Sequence, residues 1–176
     1  MTTQARLSIP LDGQRPVPLD ATQLYQEGML GGVLGALTIA LWFLLLDAIS
    51  GRPLFTPTVL GTALFRGGAG LGSPETLPVS IEMVAMFTWV HLLVFAALGG
   101  IVARLLGHVE HHPQSGFGVL LLFVVFQFGF IVAAAVVAAP VLRVLSAWSI
   151  LVANLLAAAA MTAYFRRRHP GLRVSP

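Results

Sequence analysis

Three polar side chains that could contact a cofactor lie within long apolar stretches of the sequence: His91, Gln127 and Asn154. A histidine in this setting can ligate haem, contact a pigment or quinone, or relay a proton, with the two amides beside it. The same groups can instead hydrogen-bond between helices and fix their register, which is their more common role. Because His91 is the only histidine within these stretches, we expect haem, pigment or quinone binding only with help from a partner protein.

A second candidate site is the short cluster formed by His108, Glu110, His111 and His112. Imidazole and carboxylate groups are common ligands of zinc and nickel. If a helix runs through the cluster, His108 and His112 share one face. The order of residues differs from the H-E-x-x-H metalloprotease motif, and Pro113 disfavours helix at His112. We therefore expect a hydrated loop, with weak metal binding as the alternative.

The elements that would position these residues are apolar and long. The sequence is 57% apolar and 10% charged, whereas about 25% of the residues in a soluble domain are charged. Four stretches are long enough to cross a bilayer as helices: residues 28–49, 78–106, 116–141 and 145–165. The sequence thus predicts an all-α, integral membrane four-helix bundle at residues 28–165, between a polar, proline-containing arm at 1–27 and a basic tail at 166–176.

The distribution of arginines predicts the orientation of the bundle. One side collects Arg6, Arg15, Arg104, Arg166, Arg167, Arg168 and Arg173; the other collects Arg52, Arg66 and Arg143. By the positive-inside rule, both termini lie in the cytoplasm of a bacterium and the protein is a multi-pass protein of the inner membrane. The pI near 10.6 then reflects orientation, and we expect no nucleic-acid partner.

The connection between the first two spans should contain one short helix. Thr56 followed by Pro57 is typical of a helix start, which predicts a helix at 57–65. This helix is too short to span, and its apolar residues favour a position in the interface plane on the periplasmic side. The glycine-rich residues 67–72 lack the lysine and spacing of a phosphate loop, and they predict a flexible linker.

The first span carries two overlapping G-x-x-x-G spacings, formed by Gly28, Gly31, Gly32 and Gly35. Glycines at this spacing let a second helix approach closely. That helix could belong to this chain or to another membrane subunit. Together with the polar arm, the glycine face is the expected contact surface for such a subunit.

Composition excludes several kinds of chemistry. The absence of cysteine removes thiolate catalysis and cysteine-ligated metals, and all ten cationic residues are arginine, so no lysine can form a Schiff base. No carboxylate pair lies within a span, so we expect no enzyme. The favoured hypothesis is a non-catalytic accessory subunit of a larger bacterial membrane complex, respiratory or photosynthetic. A redox subunit that contacts its cofactor through His91 and a small channel or transporter are the alternatives.

Overall fold

The computed structural model describes residues 21–111 and 145–168, and the regular elements in these ranges are all helical. The four α-helices are α1 (Ala21–Ile49), α2 (Phe55–Phe65), α3 (Ile81–His111) and α4 (Ala147–Arg168), with a 3₁₀ turn at Pro74–Thr76. The expected third span at 116–141, which contains Gln127, lies outside the described residues, as do most of the arm and most of the tail.

Three of these helices are long and apolar enough to cross a membrane: Thr22–Ile49, Ile81–Arg104 and Ala147–Arg168. The all-helical class is therefore confirmed for the described ranges, and the three apolar helices indicate a membrane-embedded protein. The boundaries differ from those expected. Helix α1 begins at Ala21 and α3 continues to His111, because polar residues can extend a helix beyond the apolar layer that defined the spans.

Helix α1 crosses α3 at two glycines. A Cβ atom on Gly32 would overlap the backbone carbonyl of Phe95, and a Cβ on Gly28 would lie 2.5 Å from the carbonyl oxygen of Gly99. Gly99 approaches the backbone of α1 just as closely. The two backbones are in direct contact here, which only residues without a side chain permit.

The other two glycines of the first span face α4. A Cβ on Gly31 would lie 2.9 Å from the ring of Phe165, and a Cβ on Gly35 would lie 2.8 Å from Sδ of Met161. The two overlapping G-x-x-x-G pairs thus contact two different helices of this chain.

Helices α3 and α4 both run antiparallel to α1. We call the end of the bundle where α1 begins the Tyr25 end and the opposite end the Asp47 end. At the Tyr25 end, Arg104 of α3 donates a hydrogen bond to the Tyr25 hydroxyl. At the Asp47 end, the indole N–H of Trp42 donates to the carbonyl oxygen of Ser149, near the start of α4, at 3.1 Å. The chain therefore leaves α3 at one end and enters α4 at the other.

Helix α2 packs against protein at the Asp47 end. A Cβ on Gly61 would lie 2.5 Å from the carbonyl oxygen of Met83 in α3. The buried residues of α2 include three threonines, which would gain nothing from facing lipid. The full set of buried residues in α2 is Thr56, Thr58, Val59, Gly61, Thr62 and Ala63. The helix expected at 57–65 thus forms with a longer range, and its buried face is covered by the bundle.

The glycine-rich segment after α2 folds as successive turns. Gly67, Gly68 and Gly70 have positive φ angles, which glycine adopts without strain. The turns carry Leu71 back into the core, where its side chain is 3% exposed and joins a cluster with Phe43 of α1 and α2 residues. The interpretation of 67–72 as a plain linker missed this anchoring side chain.

Candidate functional site

His91 lies half-buried in the interface between α3 and α1. Its Nε2 atom is 3.3 Å from the backbone carbonyl oxygen of Ala36. A carbonyl oxygen can only accept a hydrogen bond, so Nε2 carries the proton and donates it. The bond joins two helices near the middle of their apolar segments.

Two aromatic rings of the same helix flank the imidazole. The Phe87 ring is stacked at 5.6 Å between centroids, and the Phe95 ring is tilted at 4.7 Å. With Nε2 engaged by Ala36, the remaining nitrogen for a ligand is Nδ1. This arrangement suits a residue that fixes the register of two helices.

Asn154, one of the two amides expected beside His91, lies at a different level of the bundle. Asn154 is half-buried on α4, seven residues before Met161, which contacts Gly35. At 1.5 Å per residue it lies about 10 Å from the level of His91, toward the Asp47 end. Thr38 donates its hydroxyl to Leu34 of its own helix at 2.8 Å. Gln127 lies outside the described residues.

The histidine cluster is placed in part. Helix α3 continues through His108 and Glu110 and ends at His111, so the loop expected there is helical up to that residue. His112 lies outside the described residues. The metal hypothesis for these four residues stays a prediction.

The Asp47 carboxylate is buried and accepts two hydrogen bonds, which the sequence did not indicate. Asp47 is 6% exposed. Its Oδ2 accepts the backbone N–H of Thr56 and its Oδ1 accepts the Thr56 hydroxyl, both at 2.7 Å. Asp47 therefore caps the first turn of α2, where helical N–H groups lack partners. The Thr56 hydroxyl donates its hydrogen bond to Asp47. Helix α2 starts at Phe55, two residues earlier than expected, and Leu54 before it has a left-handed conformation.

The arginines of this end bind the loops together. Arg52 donates to the carbonyl oxygen of Leu77 at 3.2 Å, and its guanidinium lies 3.9 Å from the ring centroid of Phe55. Arg66 pairs with Glu82, in the first turn of α3, at 3.1 Å on the surface. These contacts hold α2 and its flanking loops at the end of the bundle. The charges of Arg52 and Arg66 thus have a structural role.

The three tryptophans have different surroundings. Trp42 has a hydrogen-bond acceptor in Ser149. Trp148 is 71% exposed but lies at the start of α4, a depth where tryptophan is common because water is near. Trp89 is 66% exposed and lies three residues, about 5 Å, from the midpoint of the Ile81–Arg104 span. Its indole N–H has no hydrogen-bond acceptor among residues 21–111 and 145–168.

The sequence matches no protein-family model, and comparisons with curated proteins and with solved structures give no significant match. Function must therefore be argued from the residues themselves.

Proposed function

We propose that this protein is a non-catalytic accessory subunit that packs against a larger membrane assembly through the face of α3 that carries Trp89. The carrying observation is an exposed indole at mid-span depth. A polar N–H group in hydrocarbon is costly unless it finds an acceptor. A helix of another subunit would supply the acceptor and cover the ring.

The neighbours of Trp89 on this face support helix docking. Met86 and Leu93, three residues before it and four after, are also exposed, so they continue the same stripe along α3. A large aromatic ring flanked by apolar side chains is the composition expected of an interface anchor. We define this stripe, Met86, Trp89 and Leu93, as the Trp89 face.

The engagement of the polar groups supports a role without chemistry. Both carboxylate oxygens of Asp47 accept hydrogen bonds from Thr56. Glu82 is paired with Arg66, and His91 Nε2 donates a hydrogen bond to the carbonyl oxygen of Ala36. Each of these groups is explained by the packing of the chain.

The proposed subunit crosses the membrane four times, with both termini in the cytoplasm of a bacterium. Four crossings are supported by the positions of two helix ends: α3 ends at the Tyr25 end and α4 begins at the Asp47 end. The apolar residues 116–141 are long enough for this crossing. The host complex we propose is an energy-transducing one, respiratory or photosynthetic, contacted through the Trp89 face, the first helix and the N-terminal arm.

The test is a photo-reactive amino acid placed at position 89 in growing cells. We expect adducts with a different membrane polypeptide, identified by mass spectrometry. The same group at Leu155, which is exposed on α4, is the comparison for contacts with lipid. Adducts formed only with lipid, with residues 112–144 of this chain or with a second copy would contradict the proposal.

A matched pair of substitutions tests the same face by co-purification. Trp89→Leu should reduce the yield of the host subunit, while Trp148→Leu, at an equally exposed tryptophan near the membrane surface, should leave it unchanged. The purified complex also separates the alternatives. An absorption band carried by this subunit and lost in His91→Ala would favour the cofactor hypothesis, and ion flux in vesicles of the subunit alone would favour a channel.

A further inference from the structure

The last turn of α4 consists of three adjacent arginines, Arg166, Arg167 and Arg168. Arg166, Arg167 and Arg168 are all exposed. None of them forms an ion pair or a polar hydrogen bond with residues 21–111 or 145–168. The one contact of the turn is the guanidinium of Arg168, which lies 5.9 Å from the ring centroid of Tyr164.

The other arginines of the described ranges behave differently. Arg52 donates to Leu77, Arg66 pairs with Glu82, and Arg104 donates to Tyr25. Within residues 21–111 and 145–168, the arginines that have neither an ion pair nor a hydrogen bond are thus the three of this turn.

The depth of this turn decides what can meet it. Phe165, the residue immediately before the triplet, is buried against Gly31 of α1. The triplet thus begins within one turn of the packed apolar segment, and long arginine side chains can extend from such a position to the lipid headgroups. Arginine offers a planar set of donors that matches phosphate oxygens in pairs.

Charge at the Tyr25 end favours an anion. Arg104 adds a fourth arginine there, bonded to Tyr25. The acidic residues of α1 and α3 at this end are Glu27 and Glu110. Among the described residues of this end, arginine thus exceeds carboxylate, and clusters of basic residues beside a span attract acidic lipids.

We propose that the Arg166–Arg168 turn binds the phosphate of an anionic phospholipid headgroup in the leaflet at the Tyr25 end. The site requires no partner subunit, so it stands apart from the proposed accessory role. An anionic lipid is favoured over a soluble anion because the turn directly follows an apolar segment, from which arginine side chains extend toward the headgroups.

The experiment is native mass spectrometry of the full chain, purified in mild detergent and titrated with phosphatidylglycerol or phosphatidylcholine of matched acyl chains. We expect preferential adducts with phosphatidylglycerol. Replacing all three arginines by glutamine should weaken these adducts by on the order of tenfold to a hundredfold. Arg66→Gln is the matched control, because it removes an exposed arginine at the opposite end, and it should leave the adducts unchanged.

Two further arms distinguish the source of the phosphate and the kind of recognition. Excess inorganic phosphate should fail to displace the lipid; full displacement would overturn the lipid assignment. Replacing the three arginines by lysine should give an intermediate affinity, since charge remains without paired donors.

Equal adducts in the wild type and the glutamine variant would overturn the proposal, provided both unfold at the same temperature. If the triple variant is unstable, Arg167→Gln alone should still weaken binding, and no loss in that folded variant would overturn it equally.

Discussion

At the scale of single residues, Asp47 shows how a charged side chain is kept in an apolar protein. Its two oxygens meet the two donors of Thr56, one from the backbone and one from the hydroxyl. Hydrogen bonds to a charged acceptor are about twice as strong as neutral ones. The carboxylate is thereby compensated, and it joins the end of α1 to the start of α2.

We expect Asp47→Ala to lower the free energy of unfolding by about 2 to 3 kcal/mol, because it leaves two donors without their acceptor. Unfolding can be followed by circular dichroism in mixed detergent micelles. A double-mutant cycle with Thr56→Val should give a coupling energy of about 0.5 to 3 kcal/mol. Thr38→Val is the control and should change stability by less than about 0.5 kcal/mol, since its hydroxyl bonds only within α1. An equal effect of the Asp47 and Thr38 substitutions would contradict the capping role.

At the scale of elements, α1 is the central helix of the described bundle. Its glycines divide between two neighbours, α3 at Gly28 and Gly32, and α4 at Gly31 and Gly35. Close approach of backbones replaces the hydrophobic driving force that is absent between helices in lipid. The exposed surface of α1 consists largely of leucine side chains, as suits a face turned toward lipid or another subunit.

We expect Gly32→Ala to destabilise the fold by about 1 to 3 kcal/mol, because the added methyl group would overlap the Phe95 carbonyl and push α3 away. Gly72→Ala is the matched control, since a Cβ at Gly72 would meet no atom within 4 Å. The temperature of unfolding in detergent measures both. Similar behaviour of the two variants would show that the α1–α3 crossing is looser than described.

At the scale of the whole molecule, the charges mark two different ends. The Tyr25 end carries Arg104 and the arginine triplet, whereas Arg52 and Arg66 lie at the Asp47 end. The second end is closed by α2 and its loops. This asymmetry fits a proposed cytoplasmic side that meets lipid phosphates and a periplasmic side that is self-contained.

The absence of cysteine provides a clean background for testing the orientation. In cells with a permeable outer membrane, a membrane-impermeant maleimide should label the Ser73→Cys variant, at the Asp47 end. The Gln23→Cys variant, at the Tyr25 end, should be labelled only after lysis. Both positions are exposed, so access to the reagent depends on the side of the membrane. The reverse pattern would contradict the proposed orientation.

The helices themselves were predictable because their signal is local. Long apolar stretches form helices in lipid, where each backbone group must be bonded within its own segment. The sequence therefore indicated the positions of α1, α3 and α4 and the presence of α2. Glu82 lies in the first turn of α3, where the helix dipole favours an anion.

The relations between helices depended on the tertiary structure. From the sequence we expected Asn154 beside His91, but the contacts of α4 with Gly31 and Gly35 place it about 10 Å away along the helix axis. The bond between Asp47 and Thr56 likewise joins residues of two different helices, which no local pattern in the sequence indicates.

By itself the sequence determined the solvent, the helical class and the excluded chemistries, because these follow from composition and local periodicity. Only the tertiary structure decided which residue meets which: that His91 binds a backbone carbonyl, that four glycines serve two neighbours, and that Trp89 faces outward. Such pairings depend on the register and rotation of packed helices, and residues far apart in the sequence fix them together.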